Sequence, residues 1–116
     1  MPLSGAGRRR KGHDFERFCA SELRAVFPKA RRGLQYQDGN CPPDVIETPY
    51  HIECKKGKRT DIKAAMEQAR RDSAARGLQQ SPVAITKEDD KPALVTLDFE
   101  LWLAMLASIY GRQDGA

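Results

Sequence analysis

The chain has 116 residues, 40% of them hydrophobic and 31% charged, and its formal net charge is +4. These values predict one globular domain with one core and exclude a generally disordered chain. No apolar run is long enough to span a membrane, and the first residues lack the apolar segment of a secretory signal, so we expect no membrane association.

The N-terminal half is the more basic half of the chain. Residues 1–58 hold 12 basic and 7 acidic residues, whereas residues 59–116 hold 8 basic and 9 acidic residues. Residues 1–11 are interpreted as a flexible basic arm that precedes a single domain over residues 12–116. The arm is either a solubilising tail or a segment that binds a polyanion by releasing counterions.

A helix is predicted over residues 13–27, where apolar residues recur at helical spacing and Pro28 follows. Leu34 to Gln37 are then a candidate strand, and residues 38–40 predict a turn. The apolar stripe of the helix consists of Phe15, Phe18, Cys19, Leu23, Val26 and Phe27.

The rest of the chain predicts four more strands and two more helices. The resulting order, α-β-β-β-α-β-β-α, predicts an α/β or α+β fold with helices packed on a sheet and an extra C-terminal helix. In chain order the elements are strands 43–47 and 50–56, a helix over 61–76 that Thr60 caps and Gly77 ends, strands 81–86 and 92–97, and a helix from Asp98 to Tyr110.

Residues 42–56, PPDVIETPYHIECKK, are the most informative stretch. A hairpin with its turn centred in this stretch pairs Val45 with Ile52, two apolar residues that suit a core. The same register places Asp44 opposite Glu53. Directly opposed carboxylates destabilise a strand pair, so this register needs an explanation.

A divalent cation would remove the repulsion between Asp44 and Glu53. Mg²⁺ binds one or two carboxylates and retains several waters, and it can activate water and stabilise charge on a phosphate. Lys55 shares the Glu53 face of the strand and could position or deprotonate the attacking water. These groups are the ones that phosphodiester hydrolysis requires. The alternative is a solvent-facing hairpin edge on which flexible side chains keep the charges apart.

The residues Pro43-Asp44 and Glu53-Cys54-Lys55, together with the predicted order of elements, resemble the PD-(D/E)XK nuclease superfamily. The resemblance implies a restriction-endonuclease-like α-β-β-β-α-β core with a mixed sheet. It also implies Mg²⁺ held by the aspartate and the glutamate, with Mn²⁺ able to substitute, and a lysine that assists the attack. Many members add a glutamate from the first helix, and Glu16 fits that role.

Residues 10–58 are similar to the small Holliday junction resolvases of archaeal and phage type. Lys11-Gly12 and Glu16-Arg17 match the opening of their first helix, and Gln68 falls on the helix that follows the motif. The segment before the aspartate lacks the small hydroxyl residue that those resolvases tend to have, which favours another nuclease of the superfamily. The resemblance implies a homodimer with two sites and a catalytic set made of Glu16, Asp44, Glu53, Lys55 and Gln68.

Basic residues around the motif are candidates for phosphate contacts with DNA. None shows a bidentate base-reading pattern, so they imply affinity for the backbone without sequence specificity. The alternative is a solvated charged surface. The set consists of Arg8, Arg9, Arg10, Lys11, Arg17, Arg31, Arg32, Lys56, Lys58 and Arg59.

The roles of the histidine and cysteine residues can be interpreted in more than one way. His51 falls on the same strand face as the motif glutamate, and it is either a contact to substrate or water or a neutral surface histidine. A zinc site built from Cys41, Cys54 and a histidine is the rival metal site, but no CxxC spacing supports it. Cys19 and Cys54 are better explained as small core residues, and the odd number of cysteines favours a reducing, cytoplasmic setting.

The sequence therefore predicts a metal-dependent DNA endonuclease that acts in the cytoplasm, on nucleoid or phage DNA. A junction resolvase, another repair, restriction-like or phage DNA-processing nuclease, and a non-catalytic DNA-binding module are the three candidates. The intact motif argues against the last of them. The C-terminal helix, with Leu101, Trp102 and Met105, is either core or a dimer interface.

Overall fold

A computed structural model describes the backbone of residues 5–33 and 42–111 and the side chains of residues 12–33 and 42–111. The predicted order of elements and the α+β fold class are confirmed over these residues. The helices are α1 (Gly5–Leu23), α2 (Ile62–Arg76) and α3 (Phe99–Tyr110), and the strands are β1 (Arg31–Arg32), β2 (Val45–Ile46), β3 (Tyr50–Gly57), β4 (Ser81–Glu88) and β5 (Leu94–Leu97).

The five strands form one mixed sheet in the order β1-β2-β3-β4-β5. Strands β3 and β4 are parallel, and the other neighbouring pairs are antiparallel. A parallel pair needs a long crossover connection, and α2 lies between β3 and β4 in the chain. The two central strands are therefore fixed to each other by a helix that packs back on the sheet.

Helices cover both faces of the central strands. On one face, Ile52 and Cys54 of β3 belong to a buried cluster with Phe15 and Cys19 of α1. On the other face, Ala84 of β4 belongs to a second cluster with α2 residues. Successive strand residues point to opposite faces of a sheet. His51, Glu53 and Lys55 alternate with Ile52 and Cys54 along β3, so they point toward α2.

Helix α1 differs from the prediction at both ends. It begins at Gly5, not at residue 13, and so includes residues 5–11 of the predicted flexible arm. It ends at Leu23, so Val26 lies beyond the helix and is 69% exposed rather than part of a continuous stripe. Phe18 is also largely exposed and stacks on Phe15, with ring centroids 6.2 Å apart. The helix therefore buries a narrower stripe than its sequence suggests.

The predicted end of α2 is confirmed, and its predicted cap is wrong. Gly77 follows the helix with a φ of 67°, a left-handed conformation that glycine adopts without strain. Asp61, and not Thr60, is the N-cap, because its carboxylate accepts a hydrogen bond of 3.0 Å from the Ala64 N–H. Thr60 instead donates its backbone N–H to Glu88. Helix α3 begins after Asp98 as predicted.

Several predicted features lie outside the described residues. They are the strand over residues 34–37, the turn over residues 38–40, Cys41, and the side chains of Arg8, Arg9, Arg10 and Lys11. The first strand that the structure describes is instead β1. Over the described residues, no helix combines the length and the apolar character that crossing a membrane requires.

Candidate metal centre

The β2–β3 hairpin has the register that the sequence predicts. Val45 pairs with Ile52, and both side chains are buried on the α1 side of the sheet. Asp44 then leaves the regular ladder. Its N–H donates to the Ile52 carbonyl at 2.7 Å, and its Oδ2 accepts a hydrogen bond of 2.7 Å from the Cys54 N–H. The Asp44 carboxylate thus takes the position of a backbone acceptor, which fixes it beside the middle of β3.

Asp44 and Glu53 are a pair of buried carboxyl groups in contact with each other. Their exposed fractions are 5% and 3%, and a hydrogen bond joins the two side chains. Burial and the adjacent Glu53 carboxylate raise the pKa of Asp44 to about 8, against the opposing effect of the Cys54 N–H. Burial also raises the pKa of Glu53, against the attraction of Lys55. The metal-free pair therefore retains a proton at neutral pH.

One cavity of about 370 Å³ brings together all five residues of the predicted catalytic set. Its walls come from α1, the segment before β2, the middle of β3 and one side of α2. Elements far apart in the chain therefore place four carboxylates, two lysines and an amide around one space. The lining includes Glu16, Asp44, Glu53, Lys55, Lys56, Gln68 and Asp72.

Glu16 reaches the cavity from α1 and is held by an arginine. It is buried, and the Nε of Arg32 in β1 donates to its Oε2 at 2.8 Å. Sequence reasoning assigns Arg32 to a basic DNA-contacting surface, but in the structure its side chain is largely buried and paired with Glu16. The ion pair orients the Glu16 carboxylate beside the cavity that Asp44 also lines.

Lys55 lies at the mouth of the cavity. Its Nζ is 3.3 Å from Oε1 of Glu53, and its side chain is 46% exposed. The lysine can therefore meet both the buried carboxylates and a ligand arriving from solvent. This position agrees with the predicted shared face of Glu53 and Lys55.

Asp72 is a cavity residue that sequence reasoning missed. It lies on α2 four residues after Gln68, and residues at that spacing share one side of a helix. The spacing was therefore a usable signal once Gln68 was placed in the site. Asp72 also forms, with His51 and Glu53, a group whose potential ligand atoms lie within 4.8 Å of one another.

The positions of His51 and Cys54 disagree with two sequence-based interpretations, that of a surface histidine and that of a cysteine–histidine zinc site. His51 is fully buried, so the reading as a surface histidine is wrong, and burial lowers its pKa. Cys19 and Cys54 are buried core residues, as predicted, and a hydrogen bond between their thiols raises the pKa of Cys54. Cys54 lies on the opposite strand face from His51, which separates the two as ligands of one zinc ion.

The other basic residues of the predicted DNA-contacting set whose side chains the structure describes are exposed, and part of the set adjoins the cavity. Arg17 is exposed and paired with Asp14, and Arg31 is exposed and lies 3.9 Å from Glu47. A second, shallower depression of about 250 Å³ shares Lys55, Lys56 and Gln68 with the first and adds Arg59. Lys58 is exposed beside it. The phosphate contacts of these residues stay a prediction.

Gly33 controls the position of the segment that carries Asp44. A Cβ at residue 33 would lie 2.2 Å from the Pro43 carbonyl oxygen, and the Gly33 N–H donates to the Asp44 carbonyl at 2.9 Å. We expect Gly33→Ala to lower the free energy of unfolding by about 1–3 kcal/mol, because the backbone must move apart. Urea denaturation measures this. Gly12→Ala is the control, since a Cβ at residue 12 would meet no atom within 4 Å. Equal stability of the two variants would contradict the close approach of residue 33 to Pro43.

The ligand set matches the preferences of a hard divalent cation. The carboxylates of Glu16, Asp44 and Glu53 supply oxygen ligands, and the proton that the metal-free pair retains is one that a dication would displace. A comparison of the chain with protein-family models, curated proteins and solved structures gives no match.

Proposed function

We propose that the protein is a metal-dependent DNA endonuclease that hydrolyses phosphodiester bonds. The observation that carries the proposal is the cavity in which Glu16, Asp44, Glu53 and Lys55 meet, although they come from separate elements. Two of these carboxyl groups are buried against each other, an arrangement that costs free energy without a cation. Sites that carry such a cost are candidates for function.

Glu16, Asp44 and Glu53 would hold one or two Mg²⁺ ions, with Mn²⁺ able to substitute. A bound dication would supply Lewis-acid stabilisation of the phosphate and a lower pKa for water. Each carboxylate is already oriented by a neighbour: Asp44 by the Cys54 N–H, Glu16 by Arg32 and Glu53 by Lys55. This preorganisation limits the rearrangement that cation binding requires.

Lys55 and Gln68 would act on the attacking water and the substrate phosphate. The Lys55 ammonium stands at the cavity mouth, where it can bind a phosphate oxygen or orient a water. Gln68 projects from α2 into both depressions and can donate or accept a hydrogen bond there. The adjoining Lys56 and Arg59 would contact backbone phosphates on either side of the scissile bond.

Replacing Lys55 with methionine is expected to lower the cleavage rate by about 100- to 10,000-fold, the usual contribution of a positioned acid–base group. The fold should survive because the side chain is nearly half exposed. Single-turnover cleavage of labelled DNA in Mg²⁺ gives the rate. Lys63→Met on the exposed side of α2 removes the same charge outside the cavity and should cleave like the wild type. Equal rates for the two variants would remove Lys55 from the mechanism.

Substrate choice separates the candidate nucleases. The full chain is incubated with Mg²⁺ and a labelled four-way junction, linear duplex or single strand. Paired symmetric nicks confined to the junction would identify a Holliday junction resolvase. Cleavage of duplex DNA would identify a repair, restriction-like or phage-processing nuclease of the same superfamily. Binding of DNA without cleavage in Mg²⁺ or Mn²⁺ would contradict the proposal and identify a non-catalytic module.

Helix α3 supports the proposed homodimer. Leu101 packs against the core, whereas Phe99, Trp102, Leu103 and Ile109 are exposed large apolar residues of one short helix. A second copy covering this surface would place two sites in one particle. We expect Trp102→Glu to convert a dimer to a monomer in sedimentation velocity at micromolar concentration. Ala74→Glu on exposed α2 is the control, and a monomeric wild type would contradict the dimer.

A further inference from the structure

The α2 side of β3 holds a group of ligand atoms that the proposed reaction does not use as a unit. His51 and Glu53 lie two residues apart on one face of β3, and Asp72 approaches them from α2. One ring nitrogen and one oxygen from each carboxylate lie within 4.8 Å of one another. Glu53 and Asp72 line the cavity, and the buried His51 lies behind them.

His51 is a buried polar side chain without a partner. Its side chain is fully buried, and neither Nδ1 nor Nε2 has a hydrogen-bond partner among the described residues. Leaving a buried donor or acceptor unpaired costs about 1–3 kcal/mol, so such groups are rare and call for an explanation. A neutral imidazole carries one nitrogen lone pair, which suits it to bind a metal ion.

We propose that His51, Glu53 and Asp72 form a second cation site that binds a first-row transition-metal dication such as Zn²⁺ or Co²⁺. Imidazole nitrogen favours these ions over Mg²⁺, and two carboxylates supply the opposing charge. Ligands about 2.0–2.2 Å from a tetrahedral ion lie about 3.3 Å from one another, so the three side chains close in on the ion by a small movement. The ion would bind a ring nitrogen of His51, which otherwise lacks a partner among the described residues, and would link α2 to β3 through shared ligands.

This site goes beyond the proposed nuclease reaction and shares only Glu53 with it. Two cations lie near the proposed ligands: the Lys55 ammonium, 3.3 Å from Oε1 of Glu53, and Arg76 in the last turn of α2, which acts electrostatically on His51. The Arg76 guanidinium makes no ion pair with Glu53 or Asp72 among the described contacts, and its positive charge weakens cation binding. Arg76→Gln is therefore expected to tighten Zn²⁺ binding severalfold. A purely structural effect of the arginine would not strengthen the binding.

Histidine ring NMR tests the site directly, because the chain contains only two histidines. One equivalent of Zn²⁺ is added to the ¹⁵N-labelled full chain in reductant and excess Mg²⁺, and His13→Gln assigns the two rings. The proposal expects the His51 ring signals to shift and those of His13 to stay. A shift of His13 alone, no shift, or the same shift with Mg²⁺ alone would overturn it.

Variants distinguish this site from the proposed catalytic site. Asp72→Asn is expected to weaken Zn²⁺ binding by roughly 100-fold in calorimetry, whereas the exposed Glu67→Gln on the same helix should bind like the wild type. Asp44→Asn should lower the rate of Mg²⁺-dependent cleavage by roughly 100- to 1000-fold and still bind Zn²⁺ with wild-type affinity. Unchanged affinity in Asp72→Asn, or lost Zn²⁺ affinity in Asp44→Asn, would overturn the proposal, whatever the nuclease assays show.

Discussion

Replacing Asp44 with asparagine is expected to reduce the rate of Mg²⁺-dependent DNA cleavage by roughly 100- to 1000-fold, the usual cost of losing one strong electrostatic contact in a transition state. The amide removes a negative ligand from the proposed metal site but changes the size of the side chain very little. Its oxygen can still accept the hydrogen bond from the Cys54 N–H that now holds Asp44. Its nitrogen can donate to Glu53, as the protonated carboxyl does.

This substitution therefore separates chemistry from folding. Single-turnover cleavage in Mg²⁺ gives the loss of activity, and circular dichroism with urea denaturation gives the stability of the same sample. Asp90→Asn is a matched control, because Asp90 is exposed in a turn with a φ of 61° that asparagine also adopts. Cleavage by Asp44→Asn at the wild-type rate would show that the site assignment is wrong.

The metal-free protein is expected to lose stability as the pH rises from about 4 to about 8. The pKa of Asp44 is about 8 in the folded protein, against an ordinary value of 3.8, so the folded state binds the extra proton between these values. The free energy of unfolding then falls with rising pH, because the unfolded state binds fewer protons. The expected change is on the order of a few kcal/mol, and the raised pKa of Glu53 acts in the same direction.

Urea denaturation in EDTA at pH 5 and pH 8 measures this dependence. Asp44→Asn carries no titrating proton at this position, so the free energy of unfolding of the variant should change less between the two pH values. At pH 8 the variant should be more stable than the wild type. Mg²⁺ should stabilise the wild type more at pH 8 than at pH 5, since it binds the deprotonated carboxylates. Parallel pH profiles for wild type and Asp44→Asn would contradict the buried, protonated Asp44.

The elements and the strand faces were predictable from the sequence because they depend on periodicity within short segments. The pairing of Val45 with Ile52 follows from a two-residue repeat and a short turn, and the structure has that pair. The end of α2 at Gly77 follows from the left-handed conformation that glycine accepts. The start of α1 at Gly5 was missed, since a basic glycine-containing segment has no apolar stripe to mark a helix.

Several details of the site were decided by contacts between elements and not by local pattern. The Asp44 carboxylate accepts a hydrogen bond from the backbone of β3. The strand register predicts that Asp44 lies opposite Glu53, but it does not predict this hydrogen bond. Arg32 is an ordinary basic residue in the sequence, yet its ion pair with Glu16 depends on how β1 packs beside α1. His51 belongs to a strand that looks half exposed, but α2 covers that face and buries the ring completely.

The sequence by itself determined the α+β order of elements and the hairpin register, which depend on repeat lengths and turn chemistry that act over a few residues. The five candidate residues were implied by the resemblance of the sequence motif to a nuclease superfamily, and the structure brings them to one cavity. Only the tertiary structure decided that Asp72 lines the same cavity, that Arg32 holds Glu16, and that His51 lies buried and, among the described residues, without a hydrogen-bond partner. These depend on which faces of α1, α2 and the sheet meet, and the free energy of packing distant segments determines that choice.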